Sequence, residues 1–165
     1  MRLTPADTCE WGEFAVGDLF TVRASATYKE KLTELDDGGD TPILRHSAEN
    51  FGVCGHTTRP PLERGGVIVC SPVNISAIHW VPCPFCVAAG SALNVLEPKD
   101  DISEDAARYF MCIFRRVVSD AGFGFGHTLT PPRAAKLKIK VPVTPDGSPD
   151  YKSWGGSWRR LIADM

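Results

Sequence analysis

The sequence has no apolar run that approaches the roughly 20 residues needed to cross a bilayer. Its first segment, Met1 to Glu13, has one basic residue and no apolar core, so it does not have the pattern of a signal peptide. Internal repeats and low-complexity tracts are also missing. We therefore expect a cytoplasmic protein with no membrane partner.

The patterns of common catalytic sites are missing as well. No Walker motif occurs, the serines lack a Gly-x-Ser-x-Gly context, and the four histidines show no zincin spacing. The nearest match to a nuclease pair is Glu97 with Lys99, but Pro98 between them indicates a turn. We therefore expect no enzymatic activity in this chain and no cofactor.

The composition is that of an ordinary globular chain. Its 165 residues, 43% hydrophobic and 23% charged, suffice for one domain with a core. The net charge of -2 gives no overall attraction to nucleic acid, yet the local distribution of charge matters more than its sum. Acidic residues gather between positions 34 and 40 and between 100 and 105.

A basic segment stands apart from these acidic clusters. It contains Arg133, Lys136, Lys138 and Lys140. The last two alternate with apolar residues, which predicts a strand with the lysines on one face. Such a face is either solvated or in contact with phosphate groups.

Six cysteines could form three disulfides in a secreted chain, but without a secretion signal we expect reduced thiols, most of them buried. Cys83-Pro84-Phe85-Cys86 has the spacing of half a zinc site, and zinc usually needs four ligands. Cys54 and His56 are spaced too tightly to supply the other half. We therefore expect no metal, and Cys83 and Cys86 to be packing residues; zinc bound in stoichiometric amount would revive the metal interpretation.

Local patterns predict a single α+β domain. Ser103 to Asp120 is the best helix, with Ser103 as its N-cap, acidic residues in its first turn and apolar residues at helical spacing. A short helical turn over 134–138 and a tail helix after Gly155-Gly156 are also expected. Strands are predicted over 41–44, 67–70, 77–81 and 139–143. A bent or bulged strand is predicted over 85–96, around Gly90.

Two loops are candidates for recognition. The insert from Ser71 to His79 is polar and lies between apolar strands, an arrangement that suits an extended polar partner better than catalysis on a small molecule. The glycine-rich segment from Gly122 to His127 follows a helix, so it is not a dinucleotide fingerprint. It predicts either a flexible loop presenting Phe123, Phe125, His127 and Thr128 to nucleic acid, or a helix terminator whose phenylalanines pack on the core.

The order of several short motifs resembles the target-recognition domain of restriction-modification specificity subunits, of type I and of the related type IIB kind. These motifs, in chain order, are Trp11, Phe14 and Asp18-Leu19-Phe20; Thr41-Pro42-Ile43; Ala48 to Val53; Gly66 to Val69; Pro84-Phe85; Ala92 to Lys99; Lys138 to Val143; and Asp146 to Tyr151. The resemblance covers about residues 11 to 151.

This resemblance implies a mixed α/β fold with a twisted, largely antiparallel sheet whose loops read double-stranded DNA. It implies no catalysis, since separate methyltransferase and restriction subunits modify and cleave the DNA. The candidate base-reading residues are Arg45, His46, Ser47, Asn50, Asn74, Ser76, His79, His127 and Thr128, and the candidate phosphate contacts are Arg133, Lys136, Lys138 and Lys140. Arg45 could bind guanine bidentately, and Asn50 or Asn74 could bind adenine.

Two differences from a full specificity subunit are evident. Such a subunit has two recognition domains joined by long spacer helices, whereas this sequence predicts one domain over 1–165 with a short tail, 152–165, in place of a spacer. The alternative function is therefore a small protein-interaction module on the same fold. It would use Trp154 and Trp158 to form a homodimer or to dock a methyltransferase.

Overall fold

The computed structural model describes residues 9–165, which contain nine strands and four α-helices. The strands are β1 (Glu10–Ala15), β2 (Phe20–Ala24), β3 (Thr41–Leu44), β4 (Val53–Thr57), β5 (Val67–Cys70), β6 (Ile78–Val81), β7 (Cys86–Val87), β8 (Asn94–Pro98) and β9 (Lys138–Val143). The helices are α1 (Val16–Leu19), α2 (Glu104–Asp120), α3 (Pro131–Lys136) and α4 (Tyr151–Ala163). No helix in this part of the chain is both long and apolar enough to cross a membrane.

The strands form three sheets. The largest has the order β2-β8-β5-β6, a second has the order β4-β3-β7, and β1 pairs with β9. Every pairing between the described strands is antiparallel except that of β3 with β7. The predicted α+β class with largely antiparallel strands is confirmed, and the strands are divided among three sheets.

Strand β5 is buried on both faces, which explains its uninterrupted apolar sequence. Its alternate residues Ile68 and Cys70 belong to the core cluster that contains α2, whereas Val67 and Val69 belong to a second cluster on the opposite face. Side chains alternate between the faces of a strand, so an apolar run is expected where both faces are covered. The four-stranded sheet is therefore held rigidly between two apolar layers.

Helix α2 forms as its sequence predicts. The Ser103 hydroxyl accepts a hydrogen bond from the Ala106 N–H at 3.1 Å, and this bond caps the first turn. The helix buries Phe110 and Phe114 against the sheet, and the Phe110 ring centroid lies 4.4 Å from that of Phe20. Burial of such aromatic side chains is worth about 1.5–3 kcal/mol each, so α2 provides much of the core.

One prediction of secondary structure is wrong. The segment 85–96 is not one bent strand, because Gly90 adopts a φ of +78° and separates β7 from β8, which join different sheets. The predicted strand over 139–143 is confirmed as β9. It continues through Pro142 and pairs only with β1 among the described strands, so a missing N–H is tolerated at its open edge. Strand β4 begins at Val53, in a stretch for which no strand was predicted.

The helices α3 and α4 both begin earlier than predicted. Helix α3 begins at Pro131, since proline is well accepted in a first turn, where the N–H has no helical partner. Helix α4 begins at Tyr151 and runs through Gly155-Gly156, with the Asp150 carboxylate accepting a hydrogen bond from the Ser153 N–H at 3.0 Å. Glycine lowers helix stability by about 1 kcal/mol per residue, and the burial of Trp154 offsets this cost.

The tryptophans of α4 have different environments. Trp154 is fully buried, and its Nε1 donates a hydrogen bond to the Pro142 carbonyl at 3.0 Å. It therefore cannot contribute to a docking surface, as the alternative function required. Trp158 packs against the core cluster and lines a surface cavity.

All six cysteines are free thiols in the structure. Cys70 and Cys86 are buried, and burial raises the pKa of Cys70 to about 12. Cys83 is exposed, so the prediction that both cysteines of the Cys-x-x-Cys segment are packed is wrong for Cys83. Within residues 9–165, no three side chains of His, Cys, Asp or Glu come close enough together to hold a metal ion.

Candidate nucleic-acid interface

The predicted site residues gather mainly at one end of the four-stranded sheet. We call this the loop end; Ala24, Asn94, Cys70 and Ile78 follow one another across the strands there. Three segments converge on the loop end: the first spans residues 45–52, the second 71–77 and the third 127–129. Each is joined to the sheet by hydrogen bonds, so their relative positions are fixed by the core.

Two histidines hold the first segment in place. His46 Nε2 donates a hydrogen bond to the Ala92 carbonyl at 2.8 Å, and His79 Nε2 donates one to the Ser47 carbonyl at 2.7 Å. His79 lies on β6 and is 8% exposed, so it supports the segment from below. Arg45 and Asn50 of this segment are exposed to solvent.

The second segment is organised by its own side chains. The Ser71 hydroxyl accepts hydrogen bonds from the N–H groups of Val73 and Asn74 at 3.2 and 2.9 Å. Asn74 Oδ1 accepts one from the Ser76 N–H at 3.1 Å. A carboxamide has two donor hydrogens and two acceptor lone pairs, so Asn74 keeps enough capacity for a bidentate contact with a base.

The third segment is attached to both the second segment and the sheet. The Leu129 N–H donates to the Pro72 carbonyl at 2.8 Å, and the buried Asn94 donates through Nδ2 to the Leu129 carbonyl at 2.6 Å. Arg133 donates to the Thr128 carbonyl at 2.8 Å, which brings one predicted phosphate contact beside this segment. Sequence reasoning did not identify Asn94, although a polar residue within an apolar strand was a visible signal.

The backbone between Asn50 and Gly52 is left-handed at three consecutive residues. The φ angles are +48° at Asn50, +53° at Phe51 and +79° at Gly52. Such conformations cost residues other than glycine about 1 kcal/mol or more each. At Gly52 a Cβ would lie 3.2 Å from His79 Cδ2, so the segment passes close over the histidine that supports it. The turn leaves Phe51 66% exposed.

A cavity of about 550 Å³ adjoins the loop end. Asn50, Ser76 and His79 contribute to its wall, together with residues of the helices that sequence reasoning did not identify: Arg108, Arg115 and Trp158. Arg115 donates to the Ile78 carbonyl at 3.4 Å, and Arg108 forms an ion pair with Glu104 at 2.6 Å. Arg108 and Arg115 are far from the loop segments in the sequence, so only folding brings these two cations beside the loops.

The remaining predicted phosphate contacts lie on α3 and β9. Lys138 and Lys140 are exposed while Ile139 and Val141 are buried, so the predicted alternation on this strand is confirmed. Lys140 lies opposite Glu13 in the β1–β9 register, and Lys138 lies opposite Ala15. Both lysines belong to the two-stranded sheet, outside the group of residues at the loop end.

Basic and acidic residues are grouped in different stretches of the chain. No acidic residue occurs from Ala121 to Pro145, the stretch that supplies Arg133 and the three lysines. The acidic residues 100–105 follow the last residue of β8, at the end opposite the loop end. Asp36 lies beside Thr57, at the end of β3 and β4 opposite Arg45; the Thr57 hydroxyl and the Thr58 N–H lower the pKa of Asp36 to about 2.

Comparison with known proteins identifies a family for this chain. A family model described as the type I restriction modification DNA specificity domain matches residues 9–151. No curated protein matches the sequence.

Solved structures have a similar fold. One is the S subunit of a type I restriction-modification system from M. genitalium, at 16% identity and a TM-score of 0.67, with 98% of this chain and 41% of that chain covered. Another is the HsdS subunit from Thermoanaerobacter tengcongensis, at 12% identity and a TM-score of 0.62, with 97% and 40% covered. A third describes the assembly and conformational transition of the type I R-M system, at 14% identity and a TM-score of 0.61, with 93% and 38% covered.

This chain thus spans about two fifths of the length of the solved chains that it matches. The family resemblance seen in the sequence motifs is confirmed over the whole range in which they occur. Since the family model covers most of the sequence and the fold agrees with it, the protein belongs to the family of type I restriction-modification DNA specificity domains.

Proposed function

We propose that this chain binds double-stranded DNA sequence-specifically as the target-recognition module of a restriction-modification specificity subunit. The observation that carries the proposal is the family match over residues 9–151. The convergence of three polar segments on one end of a rigid sheet supports it, since loops on a rigid scaffold are where recognition residues concentrate.

Three residues of the loop end are the proposed base readers; Arg45 and Asn50 are exposed, and Asn74 is half-buried. Arg45 has the geometry to bind guanine through two hydrogen bonds, and Asn50 and Asn74 can each pair with adenine. His46 and His79 are proposed to position the first segment, because each already donates to a main-chain carbonyl. Ser47, Ser76 and Thr128 are proposed to contact DNA at the edges of this group.

The phosphate backbone is proposed to lie along the basic stretch. Arg133 and Lys136 on α3 and Lys138 and Lys140 on β9 are exposed. Within residues 9–165 none of the four forms an ion pair with a carboxylate. Neutralising phosphates releases condensed counterions, so binding through these cations should weaken steeply as salt is added.

We further propose that the chain has no catalytic activity of its own and acts in the cytoplasm with methyltransferase and restriction subunits. Any homodimer would require a surface other than Trp154, which is buried. A recognition module needs only to hold its partner subunits at the target DNA sequence. A site made of hydrogen-bonding side chains and cations is suited to this role.

Selection from a pool of random duplexes tests the proposal directly. The purified chain should enrich one short motif, and its affinity for that motif should fall steeply with rising salt. The paired variant K136Q/K138Q should bind more weakly than R64Q/K152Q, which removes the same charge away from the basic stretch. Failure to enrich any motif would overturn the proposal, and methyltransferase binding without DNA binding would favour the protein-interaction module.

A further inference from the structure

Phe125 is the most exposed aromatic side chain in the described part of the protein. Its side chain is 100% exposed, at the tip of a tight turn between Gly124 and His127. Two backbone hydrogen bonds close the turn: the Gly124 N–H donates to the His127 carbonyl at 3.0 Å, and the His127 N–H donates to the Gly124 carbonyl at 3.1 Å. Covering an apolar ring that is exposed to water in this way is expected to be favourable, because burial of apolar surface lowers the free energy.

The turn is ordered by its own residues. Gly124 and Gly126 have φ angles of +155° and +89°, which only glycine adopts readily. The rings of Phe123 and His127 stack with centroids 4.3 Å apart, and His127 Nδ1 donates to the Gly122 carbonyl at 3.1 Å. Phe123 also packs against the core cluster. Phe123 therefore packs on the core, as in the helix-terminator interpretation, whereas Phe125 is presented to solvent, as in the loop interpretation. Phe125 projects from a turn that is already ordered.

The turn leads directly into the loop end. Leu129, two residues beyond His127, is bonded to Pro72 and to Asn94. The stretch from Ala121 to Pro145 carries four basic and no acidic residues. A neighbouring protein surface could also cover Phe125, but this charge pattern favours a polyanion beside the ring.

We propose that Phe125 inserts its ring between two adjacent base pairs of the recognised duplex and bends the DNA there. This inference rests on the proposed function and adds a specific mode of contact to it. Every base has an aromatic face, and apolar side chains inserted between base steps partially unstack and kink the duplex. Because the turn is preformed, little conformational entropy is lost when the ring is inserted.

The experiment uses the full chain and a duplex containing the enriched motif. 2-Aminopurine is placed at successive positions to report unstacking, and dyes at the two ends report bending through energy transfer. The unsubstituted protein should raise 2-aminopurine fluorescence at one step and shorten the distance between the ends. F125A should lose both signals and bind about tenfold to a hundredfold more weakly, with an unchanged melting temperature because the ring makes no core contact.

I162A is the control, since Ile162 is an exposed apolar side chain in the last turn of α4, outside the three segments of the loop end. It should keep both signals. If F125A binds the same motif and keeps the unstacking and the bend, the insertion is wrong while the proposed function stands. If F125A instead abolishes binding to the methyltransferase subunit without changing either DNA signal, Phe125 is a protein contact. Absence of DNA binding by the unsubstituted chain would overturn both proposals.

Discussion

Two regions of this protein are rich in charged and polar side chains, and they use them in opposite ways. In one, which we call the Glu63 network, Arg23, Glu63, Arg64 and Glu97 bind one another. At the loop end, polar side chains bind main-chain N–H and carbonyl groups. Arg45 forms no ion pair with any described residue. This difference shows that charges paired within the fold stabilise it, whereas a charge without an internal partner can bind an external partner, which in the proposed function is DNA.

The largest effect is expected from Glu63→Gln. The Glu63 side chain is 3% exposed and accepts hydrogen bonds from Arg23 at 2.8 and 2.7 Å and from the Ala26 N–H at 2.7 Å. Burial alone would raise the pKa of Glu63, but the Arg23 guanidinium and the Ala26 N–H lower it further, so the carboxylate is charged in the fold. Loss of that charge should reduce the free energy of unfolding by about 2–3 kcal/mol, measured by urea denaturation.

Glu97→Gln is the control within the same network. Its side chain is 31% exposed, so loss of its ion pairs should cost less than about 1 kcal/mol. Both variants should bind DNA with unchanged sequence preference under conditions where they are folded. Equal destabilisation by the two substitutions would show that burial of Glu63 is not what makes its pairing important.

A second prediction concerns Arg45→Ala at the loop end. Loss of a bidentate base contact should weaken binding to the enriched motif by about 1–3 kcal/mol and relax specificity at one base pair. Stability should change little, because the side chain is exposed. Arg64→Ala, which removes a cation paired with Glu97 at 2.7 Å, should leave specificity unchanged. A uniform loss over all sequences would instead assign Arg45 to the phosphate backbone.

A third prediction tests how firmly the first segment is supported. Gly52→Ala places a Cβ 3.2 Å from His79 Cδ2 at a φ of +79°, so it should destabilise the fold by about 1–2 kcal/mol. Gly122→Ala has a similar φ of +73° but meets nothing within 4 Å, so its cost should be confined to about 1 kcal/mol of backbone strain. If urea denaturation gives equal losses, His79 does not constrain the segment.

The sequence predicted the loop end only in part. Local rules were sufficient for β3, β5 and the capped helix α2, since their patterns depend on neighbours a few residues away. They could not separate β7 from β8, because pairing with β3 or β5 is a tertiary choice. Likewise, Arg115 and Trp158 could not be assigned to the cavity from sequence, since helix packing alone brings them beside Ser76.

A smaller effect is expected from pH, at a carboxylate that is bound internally yet exposed. Asp36 has a pKa of about 2 in the fold, lowered by the Thr57 hydroxyl and the Thr58 N–H from an ordinary value of 3.8. A lowered folded pKa contributes stability above the ordinary value, and that stability is lost as pH falls from 3.8 towards about 2. Asp36→Asn should flatten the fall in melting temperature over this range, and Thr57→Val should do so partially. An unchanged slope in both variants would contradict the assignment.

The smallest effect separates two neighbouring lysines of β9. Lys138 lies opposite Ala15, whereas Lys140 lies opposite the exposed Glu13 in the strand register, so we expect the Glu13 carboxylate to weaken the attraction of Lys140 for phosphate. If both face phosphates, Lys138→Gln should lower the slope of log affinity against log salt by about 0.9. Lys140→Gln should lower that slope by less. In a Glu13→Gln background, Lys140→Gln should lower the slope by as much as Lys138→Gln does. Equal slopes for the two single variants would mean that a carboxylate one strand away does not affect phosphate binding. The contrast with the Glu63 network would then not extend to the lysines, because a nearby carboxylate would not reduce their contribution to DNA binding.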